Sequence, residues 1–171
     1  MQNGTGKMAW EGIIKDPLEG REARKPRKTG KTIISDLGYG LGEVKDFLEN
    51  AGVYIDRAKL AFGTTVIYSE DYLREKIALY RAADIDVNPG GTCAEIAIYQ
   101  GVYDTFLERA KDMGFTAIEI SDGTIHMDDS LRESVISKGI KAGFEVVSEV
   151  GRKDESDQLE LSEAKIGRAH V

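Results

Sequence analysis

The 171-residue chain is 41% hydrophobic and 31% charged with a formal net charge of −7, the balance of a globular domain rather than a disordered or fibrous one. No apolar run approaches the ~20 residues of a membrane span, and Met1-Gln2-Asn3-Gly4-Thr5-Gly6-Lys7 lacks the apolar stretch of a secretion signal, so a cytoplasmic location is expected. One cysteine, Cys93, excludes an internal disulfide and any cysteine-rich metal site.

Residues 1–31 carry eight Lys/Arg against four Asp/Glu, leaving −11 on the remainder. The basic cluster Arg21, Arg24, Lys25, Arg27, Lys28 and Lys31 has the composition of a nucleic-acid contact. The acidic remainder would repel phosphates, however, and no aromatic residues interleave for base stacking. Residues 1–30 therefore read as a solvated arm with at most a short helix, and no nucleic-acid partner is expected.

Residues 32–36 read as the first strand, followed by the turn Gly38-Tyr39-Gly40-Leu41-Gly42. Val44, Phe47, Leu48 and Ala51 recur at helical spacing and stop at Gly52, an expected left-handed cap. Residues 54–62 form the second strand, and Leu73, Ile77 and Tyr80 mark the next helix. Residues 85–88 give a short third strand, after which Gly90-Gly91-Thr92 leads into a helix start. Phe106, Leu107, Ala110 and Met113 give a further helix closed by Gly114, and residues 116–120 are strand four. Ser130 and Glu133 form a capping box ahead of Leu131, Val135, Ile136 and Ile140. Gly143 ends that helix before strand five at 144–150.

The helix-to-strand junctions at Gly52, Asp84, Gly114 and Gly143 are 32, 30 and 29 residues apart. Such a period is the signature of βαβ units on a parallel sheet, with chemistry at the strand ends. A doubly wound sheet has this length, whereas a (β/α)8 barrel typically takes about 250 residues. Residues 159–164 begin another helix, and the final Lys165-Ile166-Gly167-Arg168-Ala169-His170-Val171 resembles translated sequencing adapter. The expected organisation is thus an arm over 1–30, a partial barrel over 31–164 and a non-native tail over 165–171. The fold class is an α/β TIM (β/α)8-type barrel, truncated C-terminally after about five β/α units.

Strand alternation sorts the side chains. Ile118 and Ile120 face the helices, while Glu119 and Ser121 face the barrel interior near its mouth. Lys59 points inward, opposite to Leu60 and Phe62, and Glu149 joins the inward set with Arg152 and Lys153 at the rim. Asp36, Glu119, Asp122 and Glu149 are candidate Mg²⁺ ligands, a hard cation taking oxygen donors; salt bridges to Lys59 or Arg152 would satisfy the same carboxylates. Lys153 beside Arg152 suits anion binding or, with a depressed pKa, proton donation; a solvated pair is the plain alternative. Gly90, Gly91 and Thr92 are placed to offer backbone N–H groups to an oxyanion, with Gly63-Thr64-Thr65 a second such loop; helix capping needs no ligand. Cys93, at a helix start, is a candidate low-pKa thiol. His126, in the loop after strand four, is a candidate proton carrier or a solvated loop residue.

Five segments together resemble the phosphosulfolactate synthase family, in order from about residue 20 to 162. They are Lys25-Pro26-Arg27, Leu60-Ala61-Phe62-Gly63-Thr64, Asn88-Pro89-Gly90-Gly91-Thr92, Ala117-Ile118-Glu119-Ile120-Ser121-Asp122-Gly123 and Ser148-Glu149-Val150-Gly151-Arg152-Lys153. The resemblance implies a TIM barrel and a lyase-class, Mg²⁺-dependent addition of sulfite to phosphoenolpyruvate. The product would be (2R)-phospho-3-sulfolactate, for coenzyme M biosynthesis or other sulfonate metabolism. It implies Lys153 as general acid and Glu119, Asp122 and Glu149 as metal ligands or their neighbours. Lys59 and Arg152 would offset substrate charge. Leu37 departs from the pattern, since relatives often carry lysine there. Strands six to eight are absent, so the full-length parent is expected to be active and this chain poorly so. Exposed sheet edges favour self-association, hence a possible homo-oligomer. Two other readings stand beside it: another Mg²⁺-dependent barrel enzyme acting on a phosphorylated small acid or sugar, and a catalytically inert stress-associated homologue working through protein contacts.

Overall fold

A computed structural model describes residues 9–15, 25–61, 63–149 and 151. Five strands alternate with helices: β1 (Ile33–Asp36), α1 (Leu41–Ala51), β2 (Arg57–Leu60), α2 (Glu70–Ala82), β3 (Asp86–Asn88), α3 (Gly91–Tyr99), α4 (Tyr103–Met113), β4 (Ala117–Ile120), α5 (Asp129–Lys141) and β5 (Glu145–Ser148). β1, β2 and β3 pair in parallel, as do β4 and β5. The two groups are stitched where Thr116 N–H donates to the Val87 carbonyl (3.1 Å) and Val87 N–H donates to Thr116 Oγ1 (3.1 Å). The chain is thus an α/β protein with parallel strands in sequence order. Among the described residues β1 pairs only with β2 and β5 only with β4, so no closed barrel is seen.

The apolar stripes meet on one side of the sheet. Val44, Leu48, Leu73, Ile77, Tyr80, Leu107 and Val135 from the helices pack on Ala58, Leu60, Val87, Ile118 and Ile120 from the strands. Burying such side chains stabilises by roughly 1.5–3 kcal/mol each. The other face is concave, and ion pairs cross it: Arg57 Nη2 on β2 lies 2.7 Å from Glu145 Oε2 on β5, and Lys31 Nζ lies 3.1 Å from Glu145 Oε1. Side chains from the segment before β1, from β2 and from β5 therefore meet on this face.

Several boundaries differ from the sequence expectation. Gly52 has φ −53°, right-handed rather than left-handed, because the chain winds on into a 3₁₀ turn at Gly52–Tyr54. That turn shortens strand two to Arg57–Leu60. Left-handed stops do occur at Asp84 (φ 54°), Gly114 (φ 96°) and Gly143 (φ 84°). α5 is capped by Asp128, whose carboxylate accepts the Leu131 N–H at 2.7 Å, not by Ser130. Asp is as good a cap as Ser and stands just ahead of the first helical residue.

The arm reading also needs correction at its end. Lys25 Nζ donates to the carbonyls of Gly52 (2.7 Å) and Ala83 (2.9 Å), satisfying acceptors left over where α1 and α2 end. Arg27 is 3% exposed and pairs with Asp56 at 2.8 Å, while Asp56 Oδ2 accepts the Thr32 N–H at 2.8 Å. These cations clamp the floor of the sheet and are not a solvated lead-in. Arg21 and Arg24 lie outside the described residues, as do residues 152–171 with the expected tail.

Candidate active site at the strand ends

β2, β3 and β4 deliver Lys59, Asn88 and Glu119 to the concave face, opposite the core residues Ala58, Val87 and Ile118. Lys59 Nζ reaches Glu119 Oε1 at 2.6 Å and Glu149 Oε2 at 3.1 Å, so one ammonium joins the ends of β2, β4 and β5. Glu119 is 6% exposed. Burial, followed by the adjoining Glu149 carboxyl, pushes Glu119 above the usual carboxylate range although Lys59 opposes the shift. Lys59 loses some charge stability by burial, but Glu119 and Glu149 outweigh this and hold it above an ordinary lysine.

The Gly-Gly turn works differently from its expected role. Gly90, at φ 80°, donates its N–H to Asn88 Oδ1 (3.0 Å), and Gly91 donates its N–H to Glu119 Oε1 (3.0 Å). Both donors are thus committed inside the protein rather than offered to a substrate anion, which corrects the anion-binding reading of Gly90 and Gly91. Thr92 stands in the first turn of α3, half-buried. A Cβ on Gly91 would sit 2.3 Å from Ser121 Oγ and 2.8 Å from Glu119 Oε1. Gly91→Ala should therefore destabilise by about 1–3 kcal/mol, even though alanine is the better helix former; urea titration of the variant measures this.

One turn further along α3, Glu95 is fully buried. Its Oε1 accepts the Ser121 hydroxyl, and its Oε2 accepts the Thr124 N–H (2.6 Å), the Thr124 hydroxyl and the Ile125 N–H (3.1 Å). α3 therefore seats Glu119 with its first residue and pins the loop after β4 with its fifth. Sequence reasoning missed Glu95; its signal was a lone carboxylate in the apolar run Cys93-Ala94-Glu95-Ile96-Ala97.

The expected metal trio is not assembled. Asp122 Oδ2 turns to Arg132 Nη2 at 2.8 Å, and among the described residues no three His, Cys, Asp or Glu side chains gather as a metal site. Asp36 faces the helix layer, where Lys76 and Tyr80 take it, so it does not join the interior carboxylates. Burial pushes the Cys93 thiol up, with the Thr65 hydroxyl at 3.1 Å offsetting part of that, so the expected helix-start activation does not appear. His126 lines a shallow cavity of about 500 Å³ with Ile98, Tyr99, Thr124, Ile125 and Leu131. Arg152 and Lys153 lie outside the described residues, just beyond Glu149 in sequence.

Residues 20–169 match the family described as (2R)-phospho-3-sulfolactate synthase (ComA). The chain belongs to this family. The phosphosulfolactate synthase of Methanothermobacter thermautotrophicus is 37% identical over 136 residues, 79% of this chain and 53% of the relative. That of Methanocaldococcus jannaschii is 38% identical over 136 residues, 78% and 54%. The Bacillus subtilis phosphosulfolactate synthase is 37% identical over 130 residues, 76% and 50%. The chain thus spans about half the length of the curated phosphosulfolactate synthases it matches, and the family match over residues 20–169 includes Arg152 and Lys153. No helix among the described residues is long and apolar enough to cross a membrane.

Proposed function

We propose that this protein takes part in the Mg²⁺-dependent addition of sulfite to phosphoenolpyruvate, as half of a (β/α)8 barrel completed at the length of its relatives. Family membership supports the reaction; the convergence of Lys59, Glu119 and Glu149 on one point at the strand ends carries the reading of the site.

The residues fit a divalent cation. Two carboxylates meet at one cationic centre, the oxygen set that Mg²⁺ takes together with waters and substrate oxygens. Glu119 and Glu149 both reach Lys59, so two carboxyl groups share one ammonium at this point. Glu119 and Glu149 would hold the ion, while Asp122 pairs with Arg132 through Oδ2. Bound there, Mg²⁺ would supply positive charge to offset the negative charge that develops on the substrate carboxylate.

Sulfite attacks the methylene carbon of phosphoenolpyruvate, forming the C–S bond and moving the double-bond electrons toward the carboxylate. The neighbouring carbon then takes a proton, and Lys153 is the proposed donor. Lys59 and Arg152 gather the two anions against an otherwise acidic protein, and Gly91 keeps Glu119 from swinging away. The test is sulfite-dependent loss of phosphoenolpyruvate with Mg²⁺ in the full-length protein. Activity is expected there, with the 171-residue chain far weaker. Lys153→Ala should cut turnover by about 10²-fold or more. A full-length protein that forms no sulfolactate phosphate refutes the reading; unchanged turnover in the variant removes Lys153 from it.

A further inference from the structure

We infer that Asn88 contacts a substrate, donating its carboxamide NH₂ to the oxyanion drawn in by Lys59; this rests on the reaction proposed above. Asn88 is the register partner of Lys59 across β2 and β3, and its neighbour Val87 points into the core, so Asn88 faces the same hollow as Lys59. The Gly90 N–H donates to Oδ1 at 3.0 Å. Only the oxygen of a carboxamide accepts, so this bond settles which way the group is turned and leaves both hydrogens of the NH₂ for another partner.

Asn88 is only 1% exposed, and among the described residues the Gly90 N–H is the one partner its side chain has. The NH₂ is not among the enclosed polar atoms that lack a partner, so the small exposure of Asn88 lies at this group, on the hollow beside the Lys59 ammonium. A donor pair so placed can meet an acceptor that enters the hollow. The chemistry that suits both donors is a small oxyanion: sulfite, or the carboxylate of the enol phosphate. A purely local role, shaping the turn into Gly90, needs only the oxygen. Aspartate would serve that role equally well.

Asn88→Asp separates the two. It keeps the acceptor for Gly90 and the side-chain size, and replaces the donor by an oxygen that repels anions. Binding of sulfite and of phosphoenolpyruvate, each with Mg²⁺, is measured by titration calorimetry on the full-length wild type and variant, alongside thermal melting. The expected result is a folded variant that has lost at least about tenfold in binding one anion and much less in binding the other. The anion that weakens is the one Asn88 holds, and equal weakening of both, which the added charge alone would give, overturns the assignment. Equal binding of both anions by wild type and variant overturns the assignment while leaving the reaction intact. Wild type that binds neither anion overturns the reaction itself, and Asn88 with it. Should Asn88→Asp fail to fold, Asn88→Ala removes the donor without adding charge, and the same comparison between the two anions decides.

Discussion

Replacing Asp36 with alanine should destabilise the protein by about 3–5 kcal/mol, the range found when one member of a buried ion pair is removed. Asp36 and Lys76 have side chains 1% and 0% exposed, and Lys76 Nζ lies 2.8 Å from Asp36 Oδ2. The alignment falls short of a hydrogen bond, so the ammonium depends on direct attraction to this carboxylate, helped by the Tyr68 ring 5.1 Å away. The same carboxylate accepts the Tyr80 hydroxyl (2.9 Å) and the N–H groups of Gly38 (2.8 Å) and Tyr39 (2.9 Å). Burial and the adjacent Asp36 charge drive the Tyr80 phenol far upward, keeping it a donor at every ordinary pH. Alanine would strand a charge and three donors, a large part of the 5–15 kcal/mol that typically holds a domain together. Denaturant unfolding measures the loss, and adding Lys76→Met should return part of it. A cost under about 1 kcal/mol would mean that water reaches the pair.

Lys59→Met should show a stability loss that depends on pH. Without the ammonium, burial and Glu149 act on Glu119 unopposed, and its folded pKa rises further above the unfolded value of about 4.3. A carboxyl with a raised folded pKa leaves stability intact below the unfolded value, where it is protonated in both states. Stability then falls as pH climbs through the folded pKa, because ionising the buried group is penalised. The variant should therefore stand close to wild type near pH 4 and fall behind by about 2 kcal/mol at pH 8. Denaturation at the two pH values reads the difference directly. On the proposed reading, Mg²⁺ restores part of the loss at pH 8 and none at pH 4; a loss independent of pH would show that Lys59 matters only for packing.

The alternation and the period were legible because they follow from local rules. Ile118 and Ile120 fell on the core side and Glu119 opposite them, since successive residues of a strand must face opposite ways. Lys59 was placed inward by the same rule, and the helix stops at Gly114 and Gly143 by their tolerance of left-handed backbone. The misread parts were decided by partners distant in sequence. Nothing local says that Asp36 will meet Lys76, 40 positions later, or that Lys25 will reach both Gly52 and Ala83. The Gly-Gly turn was recognisable as a donor-rich bend, but its acceptors, Asn88 and Glu119, depend on the strand register. The period announced parallel strands in sequence order, but which strands would pair at the two ends is not a local property, and among the described residues β1 pairs only with β2 and β5 only with β4.

Glu145 on β5 already meets Arg57 and Lys31 across the hollow. The strand layer is thus cross-tied at its base by charge as well as by backbone pairing, with one glutamate serving two cations. Raised ionic strength should loosen that tie while the strand ladders stay intact, because exposed ion pairs are screened by salt and backbone hydrogen bonds are not.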